Sequence, residues 1–244
     1  MNNVGKIIVL ISSKGGSGKS TVAVGLATAF SNEGKKVLLI DADEGARCLD
    51  SMLAVDSDTL FDISDVLKGN ADISSAALSV PKLSGVSVIP SPLSGEALDL
   101  KALGEFAESQ KEFYDFILID TKGQLPAERL LGIPKSVQMI SVVTTDRIAI
   151  RNTGILNREL VNSGYSVRLV INRFKRKNAD RSVNNIDNII DETAARLIGI
   201  VPEDRRIGSI HGPILTGTAA KAIFRIAGRV SEKEILLPRI SQIT

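Results

Sequence analysis

Seven short apolar runs rich in Ile and Val punctuate this sequence, at Ile7 to Ile11, Val37 to Ile40, Val86 to Ile89, Phe116 to Ile119, Met139 to Val143, Val167 to Ile171 and Leu197 to Val201. They do not alternate apolar with polar residues, so each suits a strand covered on both faces. Between them lie segments with helical spacing. Val22, Leu26 and Phe30 precede Gly34, a residue suited to a helix C-terminal cap; Leu100, Leu103, Phe106 and Ala107 form a second stripe, and Ile186, Ile189, Ile190 and Leu197 a third. Strand and helix alternate from end to end. That predicts an α/β fold with a mostly parallel, twisted sheet of about seven strands, helices on both faces and right-handed crossovers. No repeat, low-complexity tract or linker interrupts the pattern, and Pro90 to Gly95 reads as a loop, so residues 1–244 are expected to form a single domain.

Composition narrows the class further. With 43% apolar residues and 30 Lys and Arg against 28 Asp and Glu, the chain is too apolar and too evenly charged for disorder. One Cys excludes a disulfide scaffold, and no apolar run approaches the roughly 18 residues of a membrane span. Chains of this size bury roughly 70–75% of their unfolded surface, so no metal or disulfide is needed to hold the core. A net charge of +2 attracts neither nucleic acid nor anionic membrane globally, so either partner would need a local patch. Lys6 precedes only five apolar residues, too short for a signal sequence, and a cytoplasmic protein is expected.

The strongest chemical signal follows the first run: Ser13-Lys14-Gly15-Gly16-Ser17-Gly18-Lys19-Ser20-Thr21, leading straight into the Val22/Leu26/Phe30 helix. Glycines at 15, 16 and 18 let the backbone curl until successive N–H groups point at phosphate oxygens, and the helix N-terminus favours negative charge. Lys19 can reach the β and γ phosphates, and the Ser20 hydroxyl can ligate Mg²⁺. The common pattern has Gly where this chain has Ser13. Acidic strand ends should complete such a site. The second run ends at Asp41-Ala42-Asp43 and the Phe116 run at Asp120, an Asp after four apolar residues at the carboxyl edge of the sheet. A strand-end carboxylate can also serve solubility alone, but two of them beside a phosphate loop suit a metal site.

Taken together, these residues resemble the deviant Walker A loop of the MinD/ParA ATPases, in which an additional lysine, here Lys14, enters the loop. The segment Asp41-Ala42-Asp43-Glu44-Gly45-Ala46-Arg47-Cys48-Leu49-Asp50 is similar to switch I of the MinD branch. Val170-Ile171-Asn172-Arg173 resembles the strand end whose Asn reads adenine, and Gly199-Ile200-Val201-Pro202-Glu203-Asp204 the segment after the last main strand. The resemblance implies a P-loop NTPase that uses ATP and Mg²⁺. Gly15 and Gly16 to Ser20, with Thr21, would hold phosphate, Ser20 with Asp41 and Asp120 would support Mg²⁺, and Asp43 would position the attacking water. Asn172 and Arg173 would meet the adenine, with Pro202, Glu203 and Asp204 packed nearby. Lys14 would act in trans across an ATP-sandwiched homodimer, as an arginine finger does, so that hydrolysis follows assembly. Switch II departs from the family: Asp120-Thr121-Lys122-Gly123-Gln124 carries Lys where Pro is usual, with Gly one position early. The extra cation could strengthen nucleotide binding or alter how hydrolysis is signalled.

Weaker signals bear on partners. Residues 231–244 hold two cations and two anions, with Pro238 in the middle, so they lack the basic amphipathic pattern of an interfacial membrane anchor. A membrane surface, reached from its inner face, stays a secondary alternative. Arg173, Lys175, Arg176 and Lys177, with Arg181 nearby, form the densest positive patch. It fits non-specific DNA binding of the ParA kind, a solvated loop or an acidic protein partner. Cys48 reads as a small packing residue, since one thiol per chain cannot supply the four ligands of an iron–sulfur cluster in a dimer. His211 has no Cys or His neighbour for metal ligation, and Tyr114 and Tyr165 are too scattered for a tyrosine-cluster tail. The expected function is an ATP-dependent spatial or regulatory switch, with septum-site placement its nearest biological setting, slow ATP hydrolysis and a regulatory protein partner. A ParA-like DNA partitioning ATPase and a nucleotide-binding module with weak or no hydrolysis are the alternatives.

Overall fold

The computed structural model describes residues 4–56, 60–93, 97–175, 185–204 and 216–238. Along the chain run β1 (Lys6–Ile11), α1 (Lys19–Asn32), β2 (Val37–Ala42), α2 (Leu49–Leu53), α3 (Ile63–Leu67), α4 (Ile73–Ala76), β3 (Leu78–Ser79) and β4 (Val86–Ile89). They are followed by α5 (Leu100–Ser109), β5 (Phe116–Thr121), α6 (Ala127–Leu130), β6 (Gln138–Thr144), α7 (Arg147–Asn162), β7 (Ser166–Phe174), α8 (Ile186–Thr193), β8 (Arg196–Pro202) and α9 (Gly217–Val230).

The strands form one sheet in the order β3-β4-β2-β5-β1-β6-β7-β8. Every pairing is parallel except the antiparallel β3–β4 edge. Eight strands stand where about seven were expected. The extra one, Leu78–Ser79, is two residues long and has no apolar run to announce it. Leu197, counted both in the strand run Leu197 to Val201 and in the third helical stripe, lies in β8: α8 ends at Thr193, and Ala194 turns the chain with φ 50°.

Both faces of the sheet are covered, as the non-alternating runs require. Odd-numbered residues of β1 (Ile7, Val9, Ile11) join a core with Leu103 of α5, Ile150 and Leu160 of α7 and Ile189 of α8. Its even-numbered residues Ile8 and Leu10 join Val22, Leu26 and Phe30 of α1 and Ile223 and Ile226 of α9. Phe30 stacks on Phe116 with ring centroids 3.7 Å apart. Two glycines allow close approach of the helices: a Cβ on Gly154 would come 2.1 Å from the Glu192 carbonyl oxygen of α8, and one on Gly199 would come 2.2 Å from Ile226 of α9. The strands thus bring their carboxyl ends to one edge, with β1 central and β5 and β6 on either side of it.

Candidate nucleotide-binding site

The loop between β1 and α1 occupies that edge. Gly16 and Gly18 adopt left-handed backbone, at φ 72° and 89°, and a Cβ on Gly15 or Gly16 would meet open space. Gly18 is the N-cap of α1, whose first turn carries no acid, so the helix presents unopposed N–H groups to an anion. Lys19 is 6% exposed. Asn172, at the end of β7, donates from Nδ2 to the Ser17 carbonyl at 2.7 Å, and a Cβ on Gly18 would come 2.2 Å from that nitrogen. Asn172 therefore grips the loop directly. Ser13 has a use here that the common Gly lacks. Its hydroxyl lies 3.0 Å from the Ala149 carbonyl and 2.7 Å from Thr153 Oγ1, fastening the loop to α7.

Asp41 and Asp120 are Cα partners in the β2–β5 ladder, and both are fully buried. Asp41 accepts from the backbone N–H groups of Asp43, Cys48 and Leu49 at 3.0, 2.9 and 3.0 Å. It thereby folds the switch I segment back against the sheet and holds the start of α2. Burial, with the nearby Asp43 charge, still lifts its pKa more than those bonds lower it. Asp120 differs: neither carboxylate oxygen has a hydrogen-bond partner of full geometry. Burial pushes its pKa up to about 7, against the pull of nearby Lys19 and Ser20. An orphaned, wholly buried carboxylate beside the Ser20 hydroxyl is the donor set that a hard divalent cation uses when phosphate supplies its other ligands. Among the described residues no group of three or more His, Cys, Asp or Glu could hold a metal by itself.

Asp43 is half-buried and its pKa is raised by burial, with Lys19 and Lys122 pulling it down. Lys122 thus contributes positive charge at this acid from the altered switch II. Gly123 lies flat on the phosphate loop, where a Cβ would come 3.0 Å from Gly15 Cα, and Gln124 N donates to the Ser12 carbonyl at 2.9 Å. Cys48 does more than fill space: its thiol donates to Ser20 Oγ at 3.3 Å, and burial pushes it up to about 12. Sequence reading missed this contact because residues 20 and 48 belong to elements that only the fold brings together.

Lys14 is exposed, with Nζ 3.3 Å from Asp146, the N-cap of α7. The Ala149 N–H and then Lys14 hold the Asp146 carboxyl below the usual range. On the β7–β8 rim, Arg173 adopts φ 52° and is exposed, and Glu203 N donates to the Phe174 carbonyl at 2.9 Å. Lys175 pairs with Glu203 at 3.1 Å, Pro202 ends β8 buried, and Asp204 follows it at the rim. The remainder of the basic patch, Arg176, Lys177 and Arg181, lies outside the described residues, as does His211. Residues 231–238 are non-helical, and Arg239 to Thr244 are outside the described residues. Among the described residues no helix is long and apolar enough to cross a membrane.

A central parallel strand, a glycine loop closing onto a helix N-terminus and a buried acid on the neighbouring strand define a P-loop nucleotide-binding protein. The CobQ/CobB/MinD/ParA nucleotide binding domain matches residues 8–211, and the chain belongs to that family. ATP and Mg²⁺ are the cofactors this membership carries, and the loop and Asp120 fit them. The chain is 30% identical over 209 residues to the septum site-determining protein MinD of Synechocystis sp., covering 83% of this chain and 77% of the relative. It superposes on the MinC:MinD cell division protein complex of Aquifex aeolicus with a TM-score of 0.84, 28% identity, and 96% and 99% of the two chains covered. With MinD complexed with Mg-ADP from Pyrococcus horikoshii the TM-score is 0.79, at 28% identity, and 93% and 96% of the chains are covered.

Proposed function

We propose that residues 1–244 act as one MinD-like ATPase domain that dimerises with ATP and Mg²⁺ and serves as a spatial switch, slow in hydrolysis until a protein partner stimulates it. The observation that carries this reading is the position of Lys14. A lysine inside the phosphate loop whose ammonium is exposed and tied only by a surface ion pair to Asp146 can exchange that partner for a neighbouring molecule's phosphates. In this reading Gly15 to Thr21 cradle the phosphates, with Lys19 on the β and γ groups. Ser20 and Asp120 hold Mg²⁺, which neutralises phosphate charge when bound, and Asp41 keeps the switch I backbone in place beside them. Asp43 orients the attacking water. Asn172, fixed on the loop through Nδ2, offers Oδ1 to the adenine amino group, flanked by Arg173 and the Pro202 to Asp204 backbone.

Placement of the division septum is the cellular role that the relatives' names suggest, and a regulatory protein partner accords with the Aquifex aeolicus complex. Sizing the protein by light scattering with ADP, ATP and a slowly hydrolysed analogue tests the proposal. A dimer is expected with the analogue for the wild type and not for Lys14→Ala, which should still bind ATP. A monomer in every nucleotide state would reject the switch.

A further inference from the structure

At the opposite end of the sheet from the phosphate loop, the strand starts and the segment after α9 line a half-open cavity of about 830 Å³. That is the size of an organic ligand site. Its lining carries seven Lys and Arg against two Glu, Glu232 and Glu234. Most of that charge is not cancelled locally. Lys6 pairs with Glu232 at 2.6 Å, Lys111 with Glu108 at 3.1 Å and Lys233 with Glu33 at 2.8 Å. Arg229 donates only to neutral carbonyls, those of Ile198, Ile235 and Leu236. Lys135, Arg168 and Arg196 have no acidic partner among the described residues.

Register makes the arrangement harder to read as incidental. Arg168 of β7 and Arg196 of β8 are direct Cα partners on adjacent parallel strands. Two residues further along, Val170 and Ile198 enter the core beneath α9, so the two guanidinium groups share the α9 face. Like charges opposed across a ladder destabilise a sheet, and here no described acid offsets them. The same cavity has apolar walls, from Val137, Ile198, Val230 and Ile235, between the cations. Arg229 holds the outer wall in place through its bonds to the carbonyls of Ile235 and Leu236.

We propose that this cavity is a second ligand site, for a small organic molecule carrying two or more phosphate groups, held by Arg168, Arg196 and Lys135. Guanidinium forks match phosphate oxygens in pairs, and the apolar walls accept the body that joins the phosphates. The site shares no residue with the nucleotide loop and does not rest on the dimer proposed above.

Isothermal titration with inositol hexakisphosphate as the probe, on full-length protein already saturated with Mg-ADP, tests the assignment at low salt. One-to-one binding is expected, weakened about tenfold or more by Arg168→Gln or Arg196→Gln, the loss of one charge-assisted contact. Each Gln variant should also have a higher Tm than the wild type without ligand, because the opposed charges are relieved. That rise is a sign a merely structural arginine would not give. Absence of binding by the wild type, wild-type affinity in both Gln variants, or tighter binding of hexaglutamate than of the phosphate probe would each overturn it.

Discussion

At the scale of single residues, the site is built from groups whose chemistry is set by what surrounds them. Cys48 shows this most directly. Free thiols titrate near 8.5, whereas burial and the carboxylates of Asp41, Asp43 and Asp120 hold this one up at about 12, against the bond to Ser20. A raised thiol pKa means less thiolate at any given pH below it, and the thiolate is the reactive form. Alkylation of Cys48 by iodoacetamide should therefore accelerate steadily from pH 7 to 10 with no plateau near 8.5. A plateau there would show an ordinary, exposed thiol. Asp120 is the complementary case, a carboxylate whose burial is unfavourable until a cation joins it. Mg-ADP at one hundred times its Kd should add about 2.7 kcal/mol to stability. The part of the accompanying Tm rise that EDTA abolishes should be missing in Asp120→Asn. An undiminished Mg²⁺ increment in that variant would remove Asp120 from the metal site.

At the scale of elements, α7 is the hub that ties the phosphate loop to the far half of the sheet. Its buried Asn157 accepts from the Ser141 hydroxyl of β6 and donates to the Thr193 carbonyl of α8 at 2.8 Å. Asn157→Leu should leave both partners buried and unpaired, at roughly 1–3 kcal/mol for each. Urea denaturation measures that loss, and a variant as stable as the wild type would show that water or repacking satisfies both groups. None of this was legible in the chain. The phosphate loop was, because its seven central residues are contiguous and their chemistry is local. So were the long buried strands, since parallel pairing under helices demands an unbroken apolar run. Leu78–Ser79 was not, because two residues carry no period. Leu197 was assigned both to a strand run and to a helical stripe because an apolar residue seven beyond Ile190 fits either element, and only the left-handed turn at Ala194 decides between them. The Ser13–Thr153 contact joins residues far apart in sequence, so no spacing rule could reveal it.

At the scale of the whole molecule, the sheet separates two kinds of chemistry. The carboxyl edge carries buried acids, a glycine loop and a half-exposed lysine, while the amino edge carries arginines that no described acid answers. The composition, nearly neutral in sum, hides this polarity, since Lys6, Arg168 and Arg196 lie on three different strands and meet Lys135, from the loop before β6, only in the folded chain. Family membership accounts for the first edge and is silent about the second. Strand β1 touches both. It begins at Lys6 in the cationic cavity and delivers Ser12 and Ser13 to the phosphate loop, and it is buried from Ile7 to Ile11. Six residues of strand are about 20 Å long. The strand is paired on both edges and packed on both faces, and it joins the two sites by the shortest run of chain. If a polyanion at Lys6 alters nucleotide affinity by some factor, nucleotide must alter polyanion affinity by the same factor. The central strand would then be the wire of a two-input device, and which signal is sender and which receiver would depend only on their concentrations.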